Sequence, residues 1–249
     1  MPSALVTGGS SGIGLAIARV LHEDGYELTI SSRRPEKVEA AAGELGVHGV
    51  VADVSREEDC ERLVAEHRDR FGGLDVLVNS AGIGIGGPFE QLSTKHFDLQ
   101  FAVNVRGLFI VTRLCLPMLK ESRGWIVNLA SIAGTIPTPG LPAYGASKAA
   151  VIHLARIAAK EGGADGIRVN AIAPGGVETP IWNAVPFFQD LVKSAGSKEA
   201  AFAAMGAAAG PAGRFARPEE IAAQIAFLLS EDSAFMTGAC LVSDGGYSL

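Results

Sequence analysis

"ALVTGGSSGIGLAIARVLHEDGYELTISS", residues 4–32, is the stretch that decides the fold. Its first part, "ALVTGG", predicts a strand that runs into a turn, and "IGLAIARVLHEDG" predicts an amphipathic helix that ends at Gly25. The remaining letters, "ELTISS", predict a second strand. A strand, a crossover helix and a second strand form a βαβ unit, in which the two strands lie parallel in one sheet.

The same alternation of strand and helix runs through most of the chain. Further strands are predicted in "VHGVVADV", "LDVLVNSAG", "GWIVNLAS", "IRVNAIAPG" and "GACLVSD", with helical patterns between them. This alternation predicts an α/β fold, a doubly wound parallel sheet of about seven strands with helices on both faces. Only residues 180–217 break the alternation. We interpret residues 1–249 as one domain, in which residues 180–217 are an insertion that forms a substrate lid.

Composition excludes several classes of partner. The 249 residues are 48% hydrophobic, which is enough for a sizeable core. A net charge of -6 and a pI near 5.4 give no basic field, so we expect neither nucleic acid nor a membrane as a partner. The start "MPSALVTGG" does not resemble a signal peptide, which favours a cytoplasmic location. Scattered cysteines and histidines predict neither disulfides nor a metal site.

The turn after the first strand, "TGGSSGIG", carries Gly8, Gly12 and Gly14. Glycines let the backbone turn tightly and approach a pyrophosphate, whose charge is favoured by the N-terminus of the following helix. The spacing is Gly-x3-Gly-x-Gly, whereas the usual dinucleotide fingerprint is Gly-x-Gly-x2-Gly. The motif therefore predicts a dinucleotide site, with a tight turn that binds no ligand as the alternative.

The end of the second strand bears on the choice of cofactor. An NAD site usually has an acidic residue there, but this chain has Ser32, Arg33 and Arg34. Arg33 can bind a ribose 2′-phosphate with charge-assisted hydrogen bonds, so NADP(H) is predicted as the preferred cofactor, with NAD(H) as the alternative. Solvated arginines at the start of a helix are the other interpretation. Ser10 and Ser11 add hydroxyl donors for phosphate.

The third and fourth strand ends add two more predicted contacts. Asp53 is placed to accept a hydrogen bond from the adenine amino group, although it can instead cap the next helix, a role that suits Ser55 better. The stretch "NSAG", residues 79–82, supplies small residues where a ribose or base passes close to the backbone.

The stretch "SIAGTIPTPGLPAYGASK", residues 131–148, contains the candidate chemistry. Tyr144 and Lys148 are four positions apart and share one face of the predicted helix. An unperturbed phenol has a pKa of about 10, so a neighbouring ammonium is needed to favour the phenolate at neutral pH. Ser131 would donate a hydrogen bond to a substrate oxygen while charge develops on it. These residues predict hydride transfer with Tyr144 as acid or base.

Taken together, the motifs resemble those of the classical short-chain dehydrogenase/reductase family over essentially the whole chain. They are "TGGSSGIG", "ADV", "NSAG", Asn104 in "VNVRG", Ser131, "YGASK", "PGGVETP" and "GRFARPEEIA", in this order. The resemblance implies a Rossmann-type fold and a catalytic set made of Asn104, Ser131, Tyr144 and Lys148. Ser80 departs from the family pattern, which usually has a second asparagine there.

The resemblance also implies that Lys148 binds the nicotinamide ribose. It further implies a homotetramer or homodimer, whose subunits are joined through the last helix and "DGGYSL". The divergent enoyl reductases of the family have a motif similar to Tyr-x6-Lys, whereas this chain has Tyr-x3-Lys. By this resemblance, carbonyl chemistry is favoured over reduction of a carbon–carbon double bond. The full set of predicted cofactor residues is Gly8, Ser10, Ser11, Gly12, Ile13, Gly14, Ser32, Arg33, Asp53, Val54, Asn79, Ala81, Gly82, Tyr144, Lys148, Pro174, Gly175, Val177 and Thr179.

The substrate is predicted only as a class, a neutral and fairly hydrophobic ketone or secondary alcohol. The runner-up is a 3-ketoacyl thioester on acyl carrier protein or CoA, for which Arg106 and Arg113 are the candidate docking residues. A non-catalytic dinucleotide sensor is a third hypothesis, which the intact catalytic set disfavours. The apolar residues assigned to the lid, some of which can instead be core or subunit contacts, are Trp182, Val185, Phe187, Phe188 and Phe202.

Overall fold

The computed structural model describes the backbone of residues 1–249 and all side chains except those of Ala184 and Pro186. Across this described backbone, seven strands form one sheet in the order β3-β2-β1-β4-β5-β6-β7, with every pairing parallel. The strands are β1 Ser3–Thr7, β2 Glu27–Ser32, β3 His48–Val51, β4 Val76–Asn79, β5 Trp125–Leu129, β6 Arg168–Pro174 and β7 Cys240–Ser243. The predicted doubly wound α/β sheet is confirmed.

Helices connect the strands. They are α1 Gly12–Glu23, α2 Pro35–Leu45, α3 Glu57–Phe71, α4 Thr94–Phe101, α5 Leu108–Ser122, α6 Pro142–Gly162, α7 Pro186–Ala195, α8 Lys198–Ala207 and α9 Pro218–Leu228. A π-helical segment, Ala102–Gly107, joins α4 to α5. Helices α7 and α8 lie inside the stretch predicted as an insertion, and a short 3₁₀ turn, Pro180–Ala184, precedes them.

The sheet is buried on both faces, as its sequence requires. Strand β1 is buried at every position, which is typical of a central parallel strand that is covered on both sides. One apolar cluster includes Leu63 of α3, Val111 of α5 and Val151 of α6, while the other joins Ile17 of α1 to Ile225 of α9. The two layers hold the sheet rigidly and leave its carboxyl edge as the place where loops gather.

Helix α4, the π-helical segment and α5 form one continuous helical run, Thr94–Ser122, in which the apolar pattern of the sequence did not indicate a membrane span. By length and composition alone it is long and apolar enough to cross a membrane. Half of its most apolar stretch is buried inside the fold, where Val111, Cys115 and Leu119 pack in the core. This burial is that of a core helix, and it accounts for the apolar composition without a membrane.

Candidate active site

A cleft of about 980 Å³ runs along the carboxyl ends of the strands. In doubly wound sheets this edge is where ligands bind, because the connections diverge there at the point where the strand order reverses. The reversal lies between β1 and β4, the two strands whose ends carry Gly8 and Gly82. The predicted cofactor residues and the catalytic segment therefore face a common space.

The glycine turn after β1 has the geometry that an anion site needs. Gly8 and Gly12 adopt φ values of 69° and 54°, which only glycine adopts without strain. A Cβ atom at Gly14 would collide with the carbonyl oxygen of Gly8, so the start of α1 can pack onto the turn only without a side chain there. The backbone at Ser11 is extended and no side chain caps the described first turn of α1. Its first N–H groups are thus available to a phosphate.

Cationic side chains surround the next strand end. Ser32 ends β2, and its hydroxyl accepts a hydrogen bond from the backbone N–H of Arg34 at 3.3 Å. Arg33, Arg34 and Lys37 all line the cleft. Lys37 was missed from the sequence, although it lies four residues after Arg33 and therefore on the same side of the chain as it enters α2. Three positively charged side chains therefore lie at this end of the cleft.

Ser131, Tyr144 and Lys148 line the opposite part of the same cleft. Ser131 follows β5, and its backbone is extended before a short 3₁₀ turn. Tyr144 and Lys148 lie in the first two turns of α6, with the Lys148 Nζ atom 5.7 Å from the centre of the Tyr144 ring. Lys148 Nζ also donates to the carbonyl oxygen of Leu129 at 2.8 Å, which fixes the ammonium at the end of β5.

Burial shifts the protonation equilibria of both groups. Lys148 is only 5% exposed, and loss of hydration lowers its pKa to about 8. Loss of hydration likewise raises the pKa of Tyr144, while the neighbouring Ser131 hydroxyl acts in the opposite direction. Tyr144 is only half-buried, since it faces the open cleft. The phenol is therefore protonated in the free protein, and a bound positive charge is needed to favour its ionised form.

Asn104 lies in the π-helical segment, a type of irregularity that often occurs at functional sites. Its side chain clamps the peptide of Ile83: Oδ1 accepts from the Ile83 N–H at 2.8 Å, and Nδ2 donates to the Ile83 carbonyl at 2.9 Å. Nδ2 also donates to Ser147 Oγ at 3.0 Å, and that hydroxyl donates to the Tyr144 carbonyl at 2.7 Å. Asn104 is thus linked to the catalytic helix through Ser147.

Most of the predicted cofactor residues line the cleft. Besides Tyr144 and Lys148 they are Gly8, Ser10, Ser11, Gly12, Ile13, Ser32, Arg33, Asp53, Val54, Ala81, Gly82, Pro174, Gly175, Val177 and Thr179.

Gly14, Asn79 and Asn104 lie behind this lining. Asn79 Nδ2 donates to Thr112 Oγ1 of α5 at 3.0 Å and to Asn128 Oδ1 of β5 at 2.9 Å, and its expected cofactor contact stays a prediction.

Comparison with known proteins agrees with this arrangement. A family model described as enoyl-(acyl carrier protein) reductase matches residues 8–248. A 2,5-dichloro-2,5-cyclohexadiene-1,4-diol dehydrogenase of Sphingobium indicum is 36% identical over 249 residues, which cover 98% of this chain and 96% of that protein. The chain belongs to the short-chain dehydrogenase/reductase family. As a member, it is an NAD(P)-dependent oxidoreductase that acts on CH–OH and C=O groups.

Solved structures of other family members are similar along the whole chain. L-sorbose reductase from Gluconobacter frateurii, complexed with NADPH and L-sorbose, has a TM-score of 0.92 at 32% identity and covers 99% of this chain and 96% of its own. A 3-ketoacyl-(acyl-carrier-protein) reductase from Brucella melitensis, complexed with NADH, has a TM-score of 0.87 at 33% identity and covers 100% of this chain and 98% of its own. A nicotinamide dinucleotide is therefore the cofactor class of this short-chain dehydrogenase/reductase.

Asp53 has a second role beside the cleft of this short-chain dehydrogenase/reductase. Its Oδ1 accepts from the N–H and the hydroxyl of Ser55 at 2.9 and 2.7 Å, and its own N–H donates to Asp59 Oδ2 at 2.9 Å. These bonds fix the turn that leads into α3. Asp53 does not cap α3, whose N-cap is Arg56, and neither does Ser55; the contact of Asp53 to adenine stays a prediction, and its side chain lines the cleft.

The aromatic residues of the insertion divide into two groups. Phe188 is 1% exposed, and its ring centre lies 4.7 Å from that of Phe202, so these two form the inside of the insertion. Trp182 donates from Nε1 to the Val177 carbonyl at 2.9 Å and lines the cleft, as does the exposed Phe187. Of the aromatic residues assigned to the lid, Phe188 is thus a core residue, whereas Trp182 and Phe187 line the cleft.

Arg106 and Arg113 lie on the outside of the helical run that contains Asn104. Both pair with one carboxylate: Arg106 Nη2 lies 3.0 Å and Arg113 Nη2 2.7 Å from the two oxygens of Glu57. Arg106 also donates to the Ser55 carbonyl at 2.8 Å. The expected basic docking patch beside the cleft is therefore reduced to one net positive charge, because the two arginines share one carboxylate from α3.

Proposed function

We propose that this short-chain dehydrogenase/reductase prefers NADP(H) and transfers a hydride between nicotinamide and a neutral, fairly hydrophobic ketone or secondary alcohol. The observation that carries the proposal is the set of side chains that line one cleft. Three cationic side chains lie at the proposed adenosine end, and Ser131, Tyr144 and Lys148 lie at the other end. The apolar wall beside the catalytic group supports the neutral substrate class.

The residues at the adenosine end fit a dinucleotide. The first N–H groups of α1 and the glycine turn would hold the pyrophosphate, Arg33, Arg34 and Lys37 the 2′-phosphate, and Asp53 the adenine. Pro174, Gly175, Val177 and Thr179 are the proposed nicotinamide contacts. The bound nicotinamide supplies or accepts the hydride.

The preference for NADP(H) rests on charge. A carboxylate at the end of β2 would favour a ribose hydroxyl, whereas this strand is followed by two arginines. Arginine presents a planar fork that matches a phosphate, and Lys37 adds a point charge from α2. NAD(H) lacks the 2′-phosphate and would leave these cations without an anion, so it is expected to bind more weakly.

Tyr144 is the proposed acid and base. During carbonyl reduction its hydroxyl gives a proton to the substrate oxygen, and during alcohol oxidation its phenolate takes that proton back. Ser131 donates a hydrogen bond to the same oxygen and stabilises the charge that develops there. The Lys148 ammonium lowers the cost of ionising the phenol. Asn104 is proposed to hold Lys148 and a water of the proton relay, because its Oδ1 and Lys148 Nζ both face Gly82.

The runner-up substrate is a 3-ketoacyl thioester, a class favoured by the similarity to the reductase from Brucella melitensis. Two observations weigh against it. Arg106 and Arg113 share the single carboxylate of Glu57, which leaves only one net positive charge there to dock an acidic carrier protein. The insertion also presents Phe187 and Trp182 to the cleft, which suits a compact apolar molecule.

The third hypothesis from the sequence, a dinucleotide sensor without catalysis, is not proposed, because the relatives are dehydrogenases and reductases and because Ser131, Tyr144 and Lys148 line one cleft. We also propose a homotetramer in the cytoplasm. Exposed apolar side chains on α5, α6 and α9, such as Phe109, Ile157 and Phe227, support the association of several copies.

The proposal is tested with three substrates under one set of conditions. Purified protein and NADPH are mixed with cyclohexanone, with a 2-keto acid, or with acetoacetyl-CoA, and loss of nicotinamide absorbance is followed. We expect kcat/KM to be highest for cyclohexanone. A higher value for acetoacetyl-CoA would support the thioester alternative, and nicotinamide binding without turnover across a wider ketone panel would support the sensor.

A further inference from the structure

The last residues of the chain form a fixed turn. Gly245 and Gly246 adopt φ values of 64° and 82°, which lets the chain reverse directly after β7. The carboxylate of Asp244 accepts hydrogen bonds from the N–H groups of Gly246 and Ser248, each at 2.9 Å. The Tyr247 N–H donates to the Asp244 carbonyl at 3.2 Å. The position of Tyr247 is thus set by hydrogen bonds on both sides of it.

This turn touches two parts of the cleft wall. On the strand side, a Cβ atom at Gly175 would lie 2.8 Å from the Cα atom of Asp244. On the side of the insertion, the Ala212 N–H donates to the Gly245 carbonyl at 3.0 Å, and a Cβ atom at Gly210 would lie 3.0 Å from the Tyr247 Cα atom. The turn therefore bridges the proposed nicotinamide contacts and the segment that follows α8.

Tyr247 itself lines the cleft, where it shares the wall with Met205 of α8 and with Ala208, which follows that helix. Its side chain is neither buried in the core nor free in solvent, with 44% of the residue exposed. Within the described part of the chain, the structure records no hydrogen bond to its hydroxyl. A phenol both donates and accepts, so this group is available to a ligand in the cleft.

Much of the surrounding wall is apolar, although Thr138 and Asn183 also line the cleft. Leu141, Ile181, Trp182 and Phe187 contribute apolar surface at the substrate end. Apolar walls bind a substrate but discriminate weakly between molecules of similar shape, whereas one hydrogen-bonding group rejects analogues that lack its partner. A hydroxyl that a fixed backbone presents to such a wall is well suited to set specificity.

From this geometry we infer that Tyr247 is a specificity-determining residue, which hydrogen-bonds a second oxygen function of the substrate while Tyr144 acts on the reacting one. The substrate class narrows to compact neutral ketones or secondary alcohols that carry a further hydroxyl or carbonyl group. The inference rests on the proposed function, because it concerns the substrate end of the same cleft.

The test compares cyclohexanone with 4-hydroxycyclohexanone, which differ by one hydroxyl group. We would measure kcat/KM with NADPH, and also the Kd of each ketone by calorimetry for the protein loaded with 1,4,5,6-tetrahydro-NADP, a reduced analogue that neither gives nor accepts a hydride, so that neither the ketone nor the hydroxyl group reacts. The wild-type protein is expected to favour 4-hydroxycyclohexanone by about tenfold in both measurements, and Tyr247→Phe to remove that preference. Tyr26→Phe, the same change at a tyrosine outside the cleft, should keep it.

The other outcomes overturn the inference in distinguishable ways. Equal values for both ketones with the wild-type protein, or a preference that survives in Tyr247→Phe, would refute the role of Tyr247 and leave the proposed function standing. A preference lost equally in Tyr26→Phe would assign the effect to general destabilisation, which also refutes it. Absence of both binding and turnover for the two ketones would refute the proposed substrate class, and the inference would fail with it.

Discussion

Replacing Arg33 by alanine should reduce the preference for NADPH over NADH. Arg33 is exposed at the end of β2 and shares the proposed phosphate site with Arg34 and Lys37. A hydrogen bond to a charged group contributes about 1.5–3 kcal/mol, and the lower end applies here because the guanidinium is solvated and two other cations remain. We expect the Kd for NADPH to rise about tenfold and that for NADH to change by less than about twofold.

The assay is a parallel titration of the protein with NADPH and NADH, followed by nicotinamide fluorescence. The double change of Arg33 and Lys37 to alanine should weaken NADPH binding by about a hundredfold, since Lys37 faces the same phosphate from α2. Arg68→Ala removes an exposed arginine on α3 and serves as the matched control. The difference between the cofactors should also shrink at high salt, because the site is open to solvent.

Equal weakening of NADPH and NADH by Arg33→Ala would refute the reasoning, since it would mean that the arginine does not contact the 2′-phosphate. Tighter binding of NADH by the wild-type protein would refute it more directly. In that case the two arginines would be solvated residues at the start of α2, the alternative that the sequence left open.

Three further changes test other parts of the structure. Gly14→Ala should lower the free energy of unfolding by about 1–3 kcal/mol and weaken both cofactors, because the added methyl group meets the Gly8 carbonyl; unchanged urea denaturation would contradict this. Lys148→Met should lower kcat and shift the pH profile of alcohol oxidation upward, since the phenol loses its neighbouring ammonium; an unshifted profile would contradict it. Burial lowers the pKa of His67 to about 4 from 6.5, so only the unfolded chain takes up its proton as the pH falls. The free energy of unfolding should therefore drop by about 2 kcal/mol from this group between pH 7 and pH 5, and His67→Gln should show a correspondingly smaller drop in urea denaturation.

The order of elements could be predicted because each carries its own local signal. Buried strands of four to seven residues alternate with amphipathic helices, and glycines end α2 and α3 in the left-handed conformation at Gly46 and Gly72. The third strand was predicted over eight residues, 47–54, but β3 ends at Val51. The hydrogen bonds of Asp53 to Ser55 and Asp59 turn the chain there, and such bonds cannot be read from an apolar pattern.

The position of Ser131, Tyr144 and Lys148 in one cleft followed from their place at a strand end and at the start of a helix. The π-helical segment around Asn104 did not, because its amide bonds the peptide of Ile83, 21 residues away in sequence. The hydrogen bonds of Asn79 could not be predicted for a similar reason. Its partners, Thr112 and Asn128, come from elements far along the chain.

The charged residues show the same limit. Arg106 and Arg113 are arginines in a helical pattern, and only the packing of α3 against α5 reveals that both pair with Glu57. His67 was expected among ordinary surface or helix residues. It is fully buried in α3, with Nδ1 2.8 Å from Thr29 Oγ1 and Nε2 3.0 Å from the Gly73 carbonyl.

The most direct test of the account is Tyr144→Phe, which removes one hydroxyl from the cleft. With NADPH and cyclohexanone, kcat/KM should fall at least about a hundredfold, because proton transfer to the substrate oxygen is lost. The Kd for NADPH, measured by nicotinamide fluorescence on the same preparation, should change by less than about twofold. Turnover that stays within about threefold of the wild-type value would contradict the assignment of Tyr144 as the acid and base.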